Sequence, residues 1–182
     1  EYVKKEQITS PVLLFTNSRG ESERLSSILK QKTSINVELH HGSLSRQVRE
    51  ETEDILREGK SGIVVCTSSL ELGLDIGSVE LVIQYGSPRQ VSKFMQRIGR
   101  SKHSKGDSAR GLIITESADD EFEIQAIIER IKEGSIEEQK IHNGSLDVLA
   151  HHLVGLSLQV GNVPINDALK LTKQAYPFRD IS

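Results

Sequence analysis

The sequence predicts an α/β fold in which a parallel sheet is sandwiched by helices, followed by a partial helical segment. Short apolar runs alternate with stretches whose apolar residues recur at helical spacing. The runs are continuously apolar, as in strands that are buried on both faces of a parallel sheet. Right-handed crossovers between such strands give a doubly wound domain, whose ligands bind beyond the carboxyl ends of the strands.

Five apolar runs are the predicted strands, at residues 12–16, 37–40, 63–66, 81–85 and 112–115. Helical spacing links Leu25, Ile28 and Leu29 after the first strand. Ser45 is the predicted N-cap of a helix that reaches about Glu58 and ends at Gly59. Two more helices carry apolar residues that we expect to dock on the sheet: Val91, Phe94, Met95 and Ile98 in one, and Ile124, Ile127, Ile128 and Ile131 in the other.

The pattern loosens near residues 134–144, where we place a domain boundary. Residues 1–140 form the predicted α/β domain, and residues 143–182 the start of a second domain with too few apolar residues for its own core. A helix is predicted from Ser145, with Leu146, Leu149, Ala150 and Leu153 on one face. A break at 162–164 precedes a short helix over 167–172.

Composition is that of an ordinary globular protein, with 36% hydrophobic and 27% charged residues. No apolar run reaches the roughly 18 residues that a membrane span needs, so no membrane partner is expected. The chain begins with Glu1 instead of Met, which suggests an internal segment of a longer protein. Its single cysteine, Cys66, cannot form an internal disulfide; we expect a core position and a reducing, cytoplasmic setting.

Charge is unevenly distributed although the net charge is only -3. Residues 89–110 contain seven Lys or Arg and one acid, whereas residues 116–138 contain nine acids and two bases. Such a basic block beside an acidic block indicates a local anion site, or alternatively two solvated surfaces.

The segment QRIGRSKH, residues 96–103, is the strongest functional signal. On a continuous helix Gln96, Arg100 and His103 would share one face, pointing away from the apolar face. An arginine so placed can bind phosphate bidentately and stabilise the charge of a transferring phosphoryl group. A solvated basic helix face is the alternative.

Two further polar segments follow predicted strands. TSSLELGLDIG, residues 67–77, offers Thr67, Ser68 and Ser69 at a predicted helix N-terminus, which suits a nucleic-acid phosphate. Asp75, after Gly73, could accept from a ribose hydroxyl or pair with an arginine. FTNSRGESE, residues 15–23, places polar groups at the start of a helix in the same way. Ordinary helix caps are the alternative for both segments.

The segment HHGSLS, residues 40–45, contains two adjacent histidines. No matching Cys or His spacing accompanies them, so we predict no metal site.

The order and spacing of these segments resemble the second RecA-like domain of superfamily-2 helicases, of the P-loop NTPase type. FTNSR resembles motif IV, TSSLELGLDIG motif V and QRIGRSKH motif VI. HHGSLSRQVRE, SSLELGLDIG and YGSPRQVSKFMQRIGR are closer still to the Lhr (large helicase-related) DNA helicases. SLDVLAHHLVG with AYPFRDIS resembles the start of that family's winged-helix domain.

The resemblance implies a role for each matching position. Arg100 would be the arginine finger toward the γ-phosphate, supported by Arg97 and Gln96. Gly73 and Asp75 would lie at the nucleotide ribose. The DNA phosphates would be held by Ser18, Arg19, Thr67 and Ser68, with His41 and Gly42 on the same side. His103 stands where many relatives have a second arginine, which leaves a second finger in doubt.

The resemblance also implies ATP and Mg²⁺ as cofactors and DNA as the partner, with RNA or an RNA–DNA hybrid as alternatives. A prokaryotic, nucleoid-associated setting, 3′ to 5′ movement, and repair or recombination would follow from it. The sequence lacks a GxxxxGK[ST] phosphate loop and a DExH-type acidic motif. We therefore expect the preceding RecA1 domain to bind ATP and Mg²⁺, and this chain alone to hydrolyse ATP negligibly.

Two other functions were considered from the residues alone. A Rossmann-like nucleotide or phosphosugar domain would need a Gly-rich loop after the first strand, but residues 17–20 contain only Gly20. An interaction domain could present the basic block to an acidic partner, and mutation-sensitive, salt-sensitive DNA binding would argue against it.

Overall fold

The computed structural model describes residues 3, 8, 10–60, 62–71, 79–101, 110–138 and 140–181. Contacts divide the chain into two compact units, Glu1–Glu137 and Glu138–Ser182. The division falls three residues before the end of the predicted first domain. Among the described residues, no helix combines the length and apolarity that would let it cross a membrane.

The first unit contains a five-stranded parallel sheet in the order β2-β3-β1-β4-β5. This confirms the predicted α/β fold. The strands and helices alternate as β1 (Val12–Phe15), α1 (Arg19–Lys32), β2 (Val37–His40), α2 (Arg46–Arg57), β3 (Ile63–Cys66), β4 (Leu81–Tyr85), α3 (Val91–Ile98), β5 (Gly111–Ile114) and α4 (Ala118–Lys132).

Three strands have the predicted bounds, β1 ends one residue earlier than predicted, and β5 both begins and ends one residue earlier. Successive side chains of a strand point to opposite faces, so the sheet has two apolar layers. Leu13, Phe15, Val64 and Cys66 belong to one layer; Val12 and Leu14 belong to the other, with their neighbours Val37, Ile63, Val65, Leu81 and Ile83. Cys66 is fully buried, as predicted, and burial raises the pKa of its thiol.

The bounds of helix α2 are set by the residues at its two ends. Ser45 Oγ accepts a hydrogen bond from the Val48 amide at 3.4 Å. The helix ends at Arg57, and Gly59 takes a positive φ of 66° that favours glycine. The start and the end of α2 thus agree with the prediction within one residue. Within the helix, Leu56 is buried and belongs to one apolar layer of the sheet.

Helix α3 differs from its prediction in two ways. It ends at Ile98, because tighter turns follow: the Arg100 amide donates to the Arg97 carbonyl and the Ser101 amide to the Ile98 carbonyl. Arg100 therefore does not continue the helical face of Gln96. Met95 is 46% exposed instead of docked, whereas Arg97 is buried.

Ile98 packs against the sheet because β5 begins with glycine. A Cβ on Gly111 would lie 2.5 Å from Ile98 Cδ1, which is closer than atoms approach. Helix α4 buries Ile124 and Ile127 as predicted, and Ile128 and Ile131 are half-buried. These contacts place the carboxyl ends of all five strands along one edge.

The second unit contains α5 (Leu146–Val160), α6 (Ile165–Thr172) and a short 3-10 helix, Tyr176–Phe178. Helix α5 buries none of its residues, although it is predominantly apolar, and Leu158 is 83% exposed. Helix α6 buries Ala168 and Thr172. The predicted helices are present here, and the assignment to a winged-helix domain stays a prediction.

Candidate nucleotide and nucleic-acid interface

The segments that follow the parallel strands meet at one edge of the sheet. The central strand β1 pairs with β3 on one side and β4 on the other, and His40, Cys66 and Phe15 are level with one another. The chain reaches β2 and β3 on one side of β1 and then crosses to β4, so a crevice forms beyond β1 and β4. A polar cleft of about 690 Å³ lies there, lined in part by Asn17, Ser18, Ser68, Gly86 and Lys93.

Ser18 and Arg19 begin helix α1 at this edge. Ser18 Oγ accepts from the Glu21 amide at 3.2 Å, so it is a helix cap, and it remains exposed. The exposed Arg19 guanidinium donates to Ser43 Oγ, in the segment after β2. The structure thus brings together the segments after β1 and β2, as the sequence predicted for parallel strands.

His41 and Gly42 differ in their accessibility. His41 is buried, its Nδ1 accepts from the Ser43 amide at 3.3 Å, and its Nε2 lies 3.2 Å from a Glu23 carboxylate oxygen. The His41 ring is therefore buried, with Nδ1 bonded within the domain and Nε2 beside the Glu23 carboxylate. Its assignment as a DNA contact stays a prediction. Gly42 is exposed, with open space where a side chain would stand.

Thr67 and Ser68 follow β3 but do not begin the expected α-helix among the described residues. Ser68–Leu70 is one turn of 3-10 helix, and Thr67 makes no side-chain cap bond. The Thr67 amide donates to the His40 carbonyl at 3.3 Å, which leaves its hydroxyl as the group available at the edge. Ser68 is exposed and lines the polar cleft.

His40 supports this loop from inside the domain, a role that sequence reasoning missed. Its Nδ1 lies 2.8 Å from Ser69 Oγ, and Ser69 Oγ also donates to the His40 carbonyl at 3.1 Å. Its Nε2 lies 3.1 Å from Glu53 Oε1. Burial, the largest effect, lowers the pKa of His40, while Glu53 acts in the opposite direction.

Arg97 lies at the centre of a buried polar network. Its Nε donates to Glu71 Oε1 at 2.8 Å, and its Nη1 donates to Gln84 Oε1 at 2.8 Å and to Asn17 Oδ1 at 3.2 Å. The guanidinium carbon lies 5.3 Å from the centroid of the Phe15 ring. With only 4% of its side chain exposed, Arg97 connects the segments after β1 and β3 to the end of β4.

The network continues to the segment after β4. Asn17 Nδ2 donates to the Ser87 carbonyl at 2.7 Å, and Gln84 Nε2 donates to the Gly86 carbonyl at 3.0 Å. Gly86 has a positive φ of 68°. Sequence reasoning missed Gln84 and Glu71, although a glutamine inside the apolar strand LVIQY was a usable signal.

Arg100 lies in the turn after α3, two residues beyond the helix, and is half-buried. Gln96 is half-buried in the last turn of α3. Three of the residues named from sequence, Gly73, Asp75 and His103, lie outside the described residues. Arg97 and Arg100 are thus three positions apart, one enclosed by the domain and the other at its edge.

The chain matches the model of the helicase conserved C-terminal domain over residues 1–105. It is 45% identical over 171 residues to the ATP-dependent helicase Lhr-Core of Methanocaldococcus jannaschii, covering 93% of this chain and 20% of that protein. It is 31% identical over 201 residues to the Lhr helicase/uracil glycosylase of Escherichia coli, covering 93% of this chain and 13% of that protein. The chain spans about a fifth of the length of the curated relatives it matches.

Solved structures of helicases are also similar to this chain. The helicase Lhr of Mycobacterium smegmatis, bound to single-stranded DNA and AMP-PNP, superposes with a TM-score of 0.87 at 32% identity, covering all of this chain and 24% of that one. The C-terminal domain of the DEAD-box protein Dbp5 superposes with a TM-score of 0.58 at 24% identity, covering 75% of this chain and 82% of that one. This second likeness concerns the fold alone.

Proposed function

Because the chain belongs to the helicase conserved C-terminal domain family, as an Lhr-like superfamily-2 member, we propose that it is the second motor domain of an ATP-dependent DNA helicase. Arg100 would supply the arginine finger, and the edge of the sheet would hold the phosphates of the tracking strand. The observation that carries this proposal is the position of Arg100 directly after a helix fixed by Arg97 to three strand ends.

For ATP hydrolysis, the contribution of this chain would be charge stabilisation. A guanidinium carries a permanent charge and a planar set of donors that matches the oxygens of a phosphoryl group. Arg100, with Gln96 nearby in sequence, fits that chemistry at the edge of the domain. Arg97 is better assigned to positioning than to phosphate contact, since its donors are bonded to Glu71, Gln84 and Asn17. Gly73 and Asp75 stay proposed contacts of the ribose.

ATP and Mg²⁺ would be bound mainly by the preceding domain, because the sequence lacks the phosphate loop and the DExH-type acidic motif. We accordingly expect the 182-residue chain alone to show negligible ATPase activity. When bound, ATP would draw the two motor domains together and hydrolysis would release them, which moves the DNA contacts of one domain relative to those of the other.

For DNA, the proposed contacts are the exposed residues Ser18, Arg19, Gly42 and Ser68, the half-buried Thr67 and the buried His41. Such contacts to phosphate position a strand without reading its sequence. A single-stranded DNA partner is favoured by the relative that was solved with it. The winged-helix assignment of the second unit, and a function in DNA repair, are parts of the same proposal.

The deciding experiment measures DNA-stimulated ATPase activity in a full-length helicase containing this segment. We expect Arg100→Ala to reduce turnover roughly 10³-fold or more, as for other transition-state arginines, with DNA binding retained. Arg46→Ala is the matched control, because Arg46 is an exposed arginine paired with Glu50 on helix α2. Near-normal turnover of Arg100→Ala would overturn the assignment of this region to the catalytic cleft.

A further inference from the structure

Helix α3 differs from its neighbours in how it begins. Helices α1, α2 and α4 each start with a serine whose hydroxyl accepts from a backbone amide of the first turn. Helix α3 is instead preceded by Gln90, whose side chain makes no capping hydrogen bond. The first amides of a helix have no partner within the helix, so α3 requires another acceptor.

That acceptor is Glu137, from a segment about 45 residues further along the chain. The Val91 amide donates to Glu137 Oε1 at 2.6 Å, and the Ser92 amide donates to Glu137 Oε2 at 2.9 Å. A carboxylate that accepts from two amides makes strong, charge-assisted bonds. Its negative charge also complements the positive end of the helix dipole.

The local chain holds Glu137 in this place. After α4 the chain turns at Gly134, which has a φ of 69°, and the Ser135 amide donates to the Arg130 carbonyl at 2.8 Å. Arg130 Nη1 lies 3.9 Å from Glu137 Oε1. The bonds from the Val91 and Ser92 amides lower the pKa of Glu137 to about 2.

Glu137 is also the last residue of the first unit. Helix α3, which it caps, carries Arg97 and leads directly to Arg100. The position of helix α3 therefore depends on the path of the chain immediately before the second unit begins.

We propose that Glu137 is a positioning residue, which replaces the missing N-cap of α3 and holds the helix that precedes Arg100. Its effect on turnover rests on the proposed function of Arg100, whereas the cap itself does not. A change in the path of the chain at residue 137 would withdraw the carboxylate and loosen the start of α3.

The cap can be tested in the 182-residue chain by hydrogen exchange of the Val91 and Ser92 amides. Glu137→Ala should speed their exchange roughly fivefold or more, the effect of a lost helix cap. Glu137→Gln should have a smaller effect, because it keeps an acceptor oxygen but loses the charge. Glu138→Ala, at an exposed neighbouring acid, should leave exchange unchanged.

Rescue gives the sharper result. Gln90→Asp supplies a local capping residue, so adding it to Glu137→Ala should restore slow exchange.

The Glu137 carboxyl should titrate near pH 2 by NMR. Its stabilising effect is present above the ordinary glutamate pKa and is lost as the pH falls toward 2. The charged group facing Glu137 is Arg130 on α4, at 3.9 Å, and Lys93 lies in the first turn of α3. Unchanged exchange in Glu137→Ala, or titration at an ordinary glutamate pKa, would overturn the cap.

The positioning role is tested in the full-length helicase. Glu137→Ala should lower ATPase turnover roughly fivefold, and Gln90→Asp should recover it. If exchange changes but turnover does not, Glu137 is only structural and the positioning role fails. If Arg100→Ala also leaves turnover unchanged, the proposed function itself fails. The two failures are therefore distinguishable.

Discussion

Two groups of polar residues occupy the same edge of the sheet and differ in their accessibility. The exposed group consists of Ser18, Arg19, Gly42 and Ser68, with Thr67 half-buried beside them. The buried group consists of Arg97 and its two hydrogen-bond partners Glu71 and Gln84. Each of these residues is 6% exposed or less. The exposed residues follow strands, whereas Gln84 lies within β4 and Arg97 on helix α3. Both groups contain residues of the types that bind phosphate.

The difference shows that residue type does not decide which residues meet a ligand. Buried polar groups need complete hydrogen bonding, and the buried group obtains it within the domain. The exposed groups retain donor capacity for a partner. The buried network fixes the loops that carry the exposed residues, so the two groups have complementary functions at one edge.

The largest effect on stability is expected from Arg97→Ala. It would leave Glu71, whose side chain is only 9% exposed, without its guanidinium partner. Breaking a buried pair in this way costs roughly 3–5 kcal/mol of unfolding free energy, measurable by urea denaturation of the 182-residue chain. If Arg97 were an accessible phosphate ligand, the loss would resemble that of an exposed arginine.

The double variant Arg97→Met with Glu71→Leu separates charge from packing. Because it removes both members of the pair, it should be less destabilised than Arg97→Ala. A double variant that is as unstable as the sum of the single variants would show that the ion pair is not the source of the effect.

An intermediate effect is expected from pH, through His40. Burial lowers its pKa, so below the ordinary histidine pKa of about 6.5 the unfolded chain binds the additional proton. The stabilisation that comes from neutral His40 should therefore be fully present above that value, and the unfolding free energy should decrease as the pH falls below it. Urea denaturation at pH 7.5 and 5.5 measures this decrease.

His40→Gln should remove much of the pH dependence, whereas His151→Gln, at an exposed histidine, should preserve it. The groups that face His40 are Glu53 and Arg49 on α2, Ser69 after β3, and the adjacent His41. An equal slope in both variants would contradict the assignment to His40.

The smallest effect on stability is expected from Arg19→Ala, because its guanidinium is exposed. The unfolding free energy should change by no more than about 0.5 kcal/mol. In a full-length helicase, the same variant should weaken single-stranded DNA binding and reduce the slope of log K against log salt by about 1. Arg46→Ala should change neither quantity, and a normal slope in Arg19→Ala would remove Arg19 from the proposed DNA contacts.

Local patterns predicted the elements well and the networks poorly. The strand LVIQY and the serine caps at Ser45 and Ser18 depend on residues that are close in sequence. Arg97, by contrast, was predicted only to support the arginine finger, and its buried network depends on Glu71, Gln84 and Asn17, which are 13 to 80 positions away. The prediction that Gln96 and Arg100 share one helical face was wrong, because the sequence pattern did not show that α3 ends at Ile98.

The sequence by itself determined the alternation of strands and helices, the sheet edge where polar segments collect, and the resemblance to Lhr-like helicases. These depend on periodicity, capping residues and motif order, which are local properties of the chain. Only the tertiary structure decided that Arg97 is enclosed, that His40 supports the loop after β3, and that Glu137 caps α3. The physical reason is that a buried or unpaired polar group takes whichever partner the fold brings near it, and that partner can stand anywhere in the sequence.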